Sequence, residues 1–204
     1  MAISVQLSSF LPFVSLLFSN LMPASFLPQR GNFKNLIVYR KTECIFDITY
    51  YFAHKFLSKS DRTIDQMIQA ARSGKQNIAE GSAASTTSRD TEIKLYNVAR
   101  ASLQELLVDY EDYLRVRGLE QWPIDDSRSI QTRLFCKANN DSAVYREAVT
   151  LRSDETIANI ALTLIHLADV MLRKLIDSVK DEFLREGGIR EQMTRARLEH
   201  RSKS

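Results

Sequence analysis

The amino-acid sequence predicts an all-α protein: an antiparallel four-helix bundle with a short helical insert before the last long helix and a basic C-terminal suffix. Two observations support this fold class. Apolar residues recur at steps of three and four, which is typical of helices packed lengthwise on one another. Helix breakers are also scarce, since the 204 residues include only 6 Gly and 4 Pro, and three of the prolines precede residue 30.

The first long helix is expected from about Leu36 to Leu57. Its apolar side chains recur on one side, and most of its charged residues lie on the other side. Three further apolar side chains, those of Ile37, Cys44 and Tyr51, lie beside the main apolar face. Because large exposed apolar patches usually become interfaces, we expect this helix to contribute to self-association.

The second helix is expected to form a hairpin with the third. It is predicted to run from Arg62 to Ala79 or Glu80. Gly81 and the small turn-forming residues 82–88 are expected to end it.

The third helix has the most regular apolar pattern in the chain. Thr87 is expected to begin it, with Asp90 three residues later as part of a capping box. The helix is predicted to reach Arg117, and Gly118 can then adopt the left-handed cap. Its packing face consists of Tyr96, Ala99, Leu103, Leu106, Tyr110 and Tyr113.

Residues 119–152 lack comparable periodicity and are interpreted as a connector or insert. Asp126 or Ser127 could cap a short helix that carries three apolar side chains, Ile130, Leu134 and Phe135.

The fourth long helix is expected from about Ser153 to Phe183, and the Gly187–Gly188 pair should end it. A short amphipathic segment follows, with Ile189, Met193 and Ala196 on one side. The packing face of the fourth helix is expected to consist of Ile157, Ala161, Leu164, Ala168, Met171 and Leu175.

Residues 1–29 form an apolar N-terminal extension without charged side chains. Pro12 and Pro23 interrupt its apolar run, so it matches neither a signal peptide nor a spanning helix. We favour translation from Met22, with an unstructured extension and a weak signal as the alternatives. The predicted bundle then covers residues 30–184, and the suffix covers residues 185–204.

The suffix holds six Arg and Lys side chains against three Glu, an excess that equals the formal net charge of +3 for the whole chain. Such a basic tail on a neutral body is compatible with polyanion binding, and equally with a solvated, frayed terminus. The predicted nucleic-acid contacts are Arg190, Arg195, Arg197 and Arg201 of the suffix, and Arg72, Arg89, Lys94 and Arg100 near the helical hairpin.

Two charged residues fall on apolar faces of the hairpin, Lys75 on the second helix and Glu92 on the third. A hairpin folded about a turn near Ala84 would bring them opposite each other. Since a charge on a packed face needs a partner, we predict a structural ion pair between them. The alternative is that Lys75 faces a pore or a subunit interface.

Catalytic and metal-binding motifs are lacking, with no phosphate-binding glycine loop, nucleophile elbow or metal-ligand spacing. We therefore predict no enzymatic activity, no cofactor and no metal. Cys44 and Cys136 have no paired spacing, which favours a reduced, cytoplasmic setting with both thiols as core side chains.

Several stretches resemble one known family. These are residues 35–41, 61–81, 92–111 and 186–198, of which the run Ser-Gly-Lys-Gln-Asn-Ile-Ala-Glu-Gly at 73–81 is the most specific. They look like the bacterial four-helix-bundle suffix-domain proteins, relatives of proteins encoded in intervening sequences of 23S ribosomal RNA genes. The resemblance covers roughly residues 26–201.

This resemblance implies a four-helix bundle that assembles as a homopentamer. It also implies kinship with the accessory variability protein of diversity-generating retroelements, a basic pentamer that binds nucleic acid and reverse transcriptase. It implies no enzymatic activity. The near-neutral body of this chain departs from the strongly basic accessory protein.

Taken together, these features predict a cytoplasmic, non-enzymatic homo-oligomer that binds RNA or a nucleoprotein partner, such as a reverse-transcriptase-like protein, electrostatically. No membrane and no small-molecule substrate is expected. The alternative is a protein-only interaction scaffold that uses the acidic third helix and the amphipathic suffix.

Overall fold

A computed structural model describes residues 32–202 of the chain, and these residues are helical, with no strand among them. The predicted extension 1–29 and the start at Met22 lie outside the described residues. A 3-10 turn at Phe33–Asn35 precedes the helices, which are α1 (Ile37–Phe56), α2 (Thr63–Ala84), α3 (Arg89–Val116), α4 (Ser127–Ala138), α5 (Ser142–Leu151), α6 (Asp154–Glu186) and α7 (Ile189–Ser202).

The four longest helices contact one another in a closed order, in which α1 packs on α2, α2 on α3, α3 on α6 and α6 on α1. Their buried side chains form one apolar cluster. Arg89 at the start of α3 lies 3.3 Å from Glu182 near the end of α6. At the opposite ends, Tyr113 Oη donates a 2.9 Å hydrogen bond to Asp154. Helices α3 and α6 therefore run in opposite directions.

The α2–α3 hairpin is held together by two close backbone approaches. A Cβ added to Gly74 would lie 2.8 Å from Leu103 Cδ2, and one added to Gly81 would lie 2.7 Å from Tyr96 Cε1. The prediction that Gly81 ends the second helix is wrong. The helix continues to Ala84 because Gly81 lets α2 approach the Tyr96 ring rather than reverse the chain.

Both ends of α3 carry the kinds of cap that were expected, although the N-cap lies one residue later than predicted. Ser88, not the predicted Thr87, is the N-cap, and its side chain accepts a hydrogen bond from the Thr91 amide. Gly118 has the predicted left-handed conformation, at φ +65°. The Leu119 amide donates to the Leu114 carbonyl and the Gly118 amide to the Arg115 carbonyl, which completes a Schellman motif.

The buried face of α6 rotates along the helix. The predicted residues Ile157, Ala161, Leu164 and Ala168 are buried, but Met171 and Leu175 are only half-buried. Leu172, Ile176 and Val179 are buried farther along. A straight helix drifts by about 20° per heptad relative to a 3.5-residue repeat. Over a helix of 33 residues, side chains at a constant heptad spacing therefore rotate away from the side that faces the core.

The insert contains two helices, of which the sequence predicted only α4. Asp126, one of the two candidates, is the N-cap of α4. The helix carries Ile130, Leu134 and Phe135, as expected, but these three side chains are exposed, whereas Cys136 and Ser129 are buried. Helix α4 packs on α6, and α5 packs mainly on α1.

Two features join α5 to α1. Lys55 Nζ donates to the carbonyls of Val149 and Thr150 at the end of α5, at 2.5 and 3.2 Å. Arg146 lies 3.0 Å from Asp47 of α1. Of the three apolar side chains predicted beside the main face of α1, Ile37 and Tyr51 are exposed. The third, Cys44, is buried because the insert covers it.

One stretch, Asp154–Ser202, contains a window long and apolar enough by length and composition to cross a membrane. Half of that window is buried inside the protein, and the core helix of a soluble protein has the same composition.

Candidate nucleic-acid interface

The suffix helix α7 is separated from α6 by a glycine turn. Gly187 has a φ of +75°, a conformation that favours glycine, and its amide still donates to the Phe183 carbonyl. The Gly188 amide donates to the Glu191 carboxylate at 2.8 Å, which stabilises the first turn of α7. None of the residues of α7 is buried, so this helix presents its charges to solvent.

Three of the four predicted suffix arginines share one side of α7. At 100° per residue, Arg190, Arg197 and Arg201 lie within about 40° of one another. At a rise of 1.5 Å per residue they are spaced by roughly 10 Å and then 6 Å along the helix axis. All three are exposed, and within residues 32–202 none of them forms an ion pair.

Arg195 lies on the other side of α7. One of its guanidinium nitrogens is 3.5 Å from the Glu186 carbonyl at the end of α6. By the same helical rotation, Glu191 and Glu199 lie within about 40° of Arg195. The acidic residues of α7 are therefore on the side away from the other three arginines.

The predicted role of Arg89 as a phosphate contact is contradicted by its burial. Its side chain is only 6% exposed and lies 2.7 Å from the Glu92 carboxylate and 3.3 Å from that of Glu182. This guanidinium neutralises buried carboxylates of α3 and α6 and presents no surface to a polyanion.

Arg100, which is half-buried, also forms an ion pair within the chain. Its Nε lies 2.9 Å from Asp169 of α6, and that carboxylate is also 3.0 Å from Arg173. Lys94 is exposed and pairs with Asp90 at 2.6 Å, whereas Arg72 is exposed without an ion pair in the described part of the chain. The four hairpin cations therefore do not form a basic patch.

The predicted Lys75–Glu92 ion pair is wrong. The Lys75 ammonium lies 4.4 Å from the centroid of the Phe46 ring, a cation–π contact. Glu92 instead accepts from Arg89 and, at 3.2 Å, from the Tyr96 hydroxyl. Because α2 extends past Gly81, the hairpin turn lies farther along the chain than Ala84, and position 75 meets α3 well beyond position 92.

The buried cation that the sequence analysis missed is Lys41. Its side chain is fully buried, and its ammonium donates to the carbonyls of Cys136 and Asn139 at the end of α4, the latter at 2.7 Å. The Tyr145 hydroxyl donates to the same Asn139 carbonyl at 2.9 Å. A helical wheel could have identified this residue, since Lys41 falls between the buried Ile48 and Phe52 at 100° per residue.

Burial shifts the pKa values of four side chains in this region in the direction that favours their uncharged forms. Desolvation lowers the pKa of Lys41, raises the pKa of Cys44 to about 12 and raises the pKa of Cys136 to about 11. Desolvation also raises the pKa of Tyr145. Thiols that stay protonated are poor nucleophiles, so both cysteines behave as core side chains.

An acidic groove of about 630 Å³ lies between α2 and α3. Asp65, Glu105 and Asp109 line it, together with glutamine and serine side chains. Burial, with the nearby charges of Asp112 and Glu105, raises the pKa of Asp109. No group of three metal-ligating side chains lies close enough to hold an ion within the described residues.

No protein-family model, curated protein or solved structure gives a significant match to this chain.

Proposed function

We propose that this protein is a non-enzymatic homo-oligomer that binds RNA through phosphate contacts of its suffix helix. The observation that carries the proposal is the exposed arginine face of α7, formed by Arg190, Arg197 and Arg201. Arginine forms paired hydrogen bonds with phosphate, and contacts of this kind position a protein on nucleic acid without selecting a sequence.

We infer that α1, α2, α3 and α6 form an antiparallel four-helix bundle, which the closed order of helix contacts supports. The exposed Ile37, Tyr50 and Tyr51 on α1 support self-association, with a pentamer expected from the family resemblance. Light scattering that reports a 23.4 kDa monomer at micromolar concentration would contradict the oligomer.

A ring would turn weak contacts into useful affinity. One α7 helix offers about three phosphate contacts, and several copies on one RNA strand raise the effective concentration of the remaining copies. The predicted contacts at Arg72 and Lys94 could add to this charge, but Arg89 and Arg100 do not belong to the interface.

The test compares two triple variants by fluorescence anisotropy with a labelled single-stranded RNA at several salt concentrations. Replacing Arg190, Arg197 and Arg201 with Gln should weaken binding and flatten the plot of log K against log salt by about 0.7 per lost contact. The matched control replaces three exposed cations elsewhere, Lys59, Arg62 and Lys137, with Gln. Both variants lose the same net charge, so equal effects on binding would contradict a specific arginine face.

The second candidate function is a protein-only scaffold, and the acidic groove between α2 and α3 favours it. Among the described residues, Asp65, Glu105 and Asp109 form no ion pair, so a basic protein segment would relieve their mutual repulsion. Failure of the parent protein to bind RNA even at low salt, with retention of the oligomer, would support this candidate instead.

A further inference from the structure

A cleft of about 570 Å³ lies between α4, α5 and the first two turns of α6. Its apolar wall includes the side chains of Trp122, Phe135, Ala148 and Ile160. This volume falls within the range of 300–1,000 Å³ that is usual for small-molecule sites, and the combination of an apolar wall with a few polar groups is typical of them.

Two hydrogen-bond donors at this cleft lack acceptors. The indole Nε1 of Trp122 is buried, and it has no hydrogen-bond partner in the described part of the chain. A buried donor without an acceptor is rare in folded proteins. The exposed side chain of Arg152 also lines the cleft, and it makes no ion pair within residues 32–202.

The neighbouring Arg128 differs from Arg152 because its guanidinium has acidic partners. Arg128 pairs with Glu120 at 2.9 Å and with Asp126 at 2.7 Å, and it lies over the Trp122 ring at 5.1 Å. Its charge is therefore already neutralised. Glu147 contributes one carboxylate to the cleft, and Gln131 and Thr132 contribute neutral polar groups.

We propose that the cleft binds a small molecule with an apolar body and a carboxylate. The apolar body would contact the wall formed by Phe135, Ala148 and Ile160, and the carboxylate would pair with Arg152. This site is separate from α7, so the proposal does not depend on RNA binding.

A second cleft, of about 590 Å³, lies on the other side of α4 and is also lined by Trp122. Its walls include Leu167 and Val170 of α6. A test must therefore distinguish the two clefts, because both adjoin the same indole.

The test titrates octanoate into the full-length protein at pH 7.5 and follows the fluorescence of Trp122, the single tryptophan of the chain. Octanamide serves as the neutral probe with the same apolar body. We expect saturable binding of octanoate, about tenfold tighter than that of octanamide because one charge-assisted contact is lost in the amide. Arg152→Gln should remove this preference, and Ala148→Phe, which fills the cleft, should abolish binding of both probes.

Two control variants keep the interpretation specific. Lys137→Gln removes one positive charge at an exposed position outside the cleft and should leave the preference for octanoate unchanged. Val170→Phe fills the second cleft and should have no effect. The proposal is overturned if octanoate gives no saturable change or binds no better than octanamide. It is equally overturned if Arg152→Gln retains the preference or Val170→Phe blocks binding.

Discussion

At the residue scale, Lys41 has an environment unlike that of an ordinary lysine. Its ammonium is fully buried, yet it is surrounded by carbonyl oxygens at the C-terminal end of α4, where the helix dipole is negative. Lys55 makes the same kind of contact at the end of α5. The two lysines lie 14 residues apart, nearly four helical turns, so they project from the same side of α1.

Replacing Lys41 with Met should lower the free energy of unfolding by about 1–3 kcal/mol. The methionine fills most of the space but leaves the Cys136 carbonyl without its donor. Lys41→Ala should lose about 2 kcal/mol more, because it also leaves a cavity. Urea denaturation measures both values, and Lys137→Met, at an exposed position of α4, should change stability by less than about 0.5 kcal/mol. A Lys41→Met protein as stable as the parent would show that the buried ammonium contributes nothing.

The buried thiols predict a pH dependence of stability. Because folding raises the pKa of Cys44 to about 12 and that of Cys136 to about 11, the folded state holds protons that the unfolded state loses near pH 9. Their contribution is complete below pH 9 and is lost as the pH rises toward 11–12. Lys41 acts in the opposite direction, since its lowered pKa makes folding more favourable as the pH rises toward 10.5.

The thiol contribution can be isolated by comparing the parent with Cys44→Ala. Lys41 and Tyr145 titrate in both proteins, so the difference between their pH profiles reports mainly on the thiol. Urea denaturation at pH 8, 9 and 10 should show the parent losing more stability than the variant over this interval. Parallel profiles would contradict the assigned burial of the Cys44 thiol.

At the scale of the elements, the α2–α3 hairpin depends on glycine at its closest approaches. Gly81→Ala should lower stability by about 1–3 kcal/mol, although alanine is the better helix former, because the added methyl overlaps the Tyr96 ring. Thermal denaturation of Gly81→Ala, Tyr96→Leu and the double variant measures the coupling. We expect the double variant to lose less than the sum of the single variants, since leucine returns space to the methyl. Strict additivity would exclude this contact as the cause.

The hairpin also illustrates how far sequence alone could predict the structure. Helix α3 was predicted within about two residues at each end, because its apolar spacing, N-terminal cap and C-terminal glycine all agree locally. The end of α2 was missed, because whether a glycine ends a helix or admits a neighbouring side chain depends on the partner helix. That displacement of the turn also made the predicted Lys75–Glu92 pair wrong.

The insert and the buried charges were harder to predict from the sequence for a related reason. Helix α5 buries only Tyr145 and Val149, too few apolar positions to define a helical period. Lys41 is tolerated in the core because its acceptors come from α4, almost one hundred residues away in the chain. The ion pairs of Arg89 and Arg100 could not be predicted from local sequence, because they depend on carboxylates supplied by α6.

At the scale of the whole molecule, the suffix helix should contribute little to stability. Since no residue of α7 is buried, deleting residues 187–204 should change the melting temperature by no more than a degree or two. Circular dichroism with thermal melting provides the measurement. Leu172→Ala, on the buried face of α6, is the positive control and should cost about 2–5 kcal/mol. A large drop on truncation would mean that α7 packs against the bundle.

The contacts that hold the insert against α1 also have a consequence for the order of folding. Those of Lys41 with Asn139, Lys55 with Val149 and Asp47 with Arg146 join residues 94 to 99 positions apart, whereas the α2–α3 hairpin closes over a turn of a few residues. Contacts between residues far apart in the chain form late, because closing a long loop costs conformational entropy before any stabilising contact is made. We therefore expect α4 and α5 to dock after the α2–α3 hairpin has formed and, since each of them buries only two side chains, to open before the long helices. In native-state hydrogen exchange, their amides should open at a lower free energy than those of α3, so that the insert behaves as a separate cooperative unit on a scaffold that is already folded.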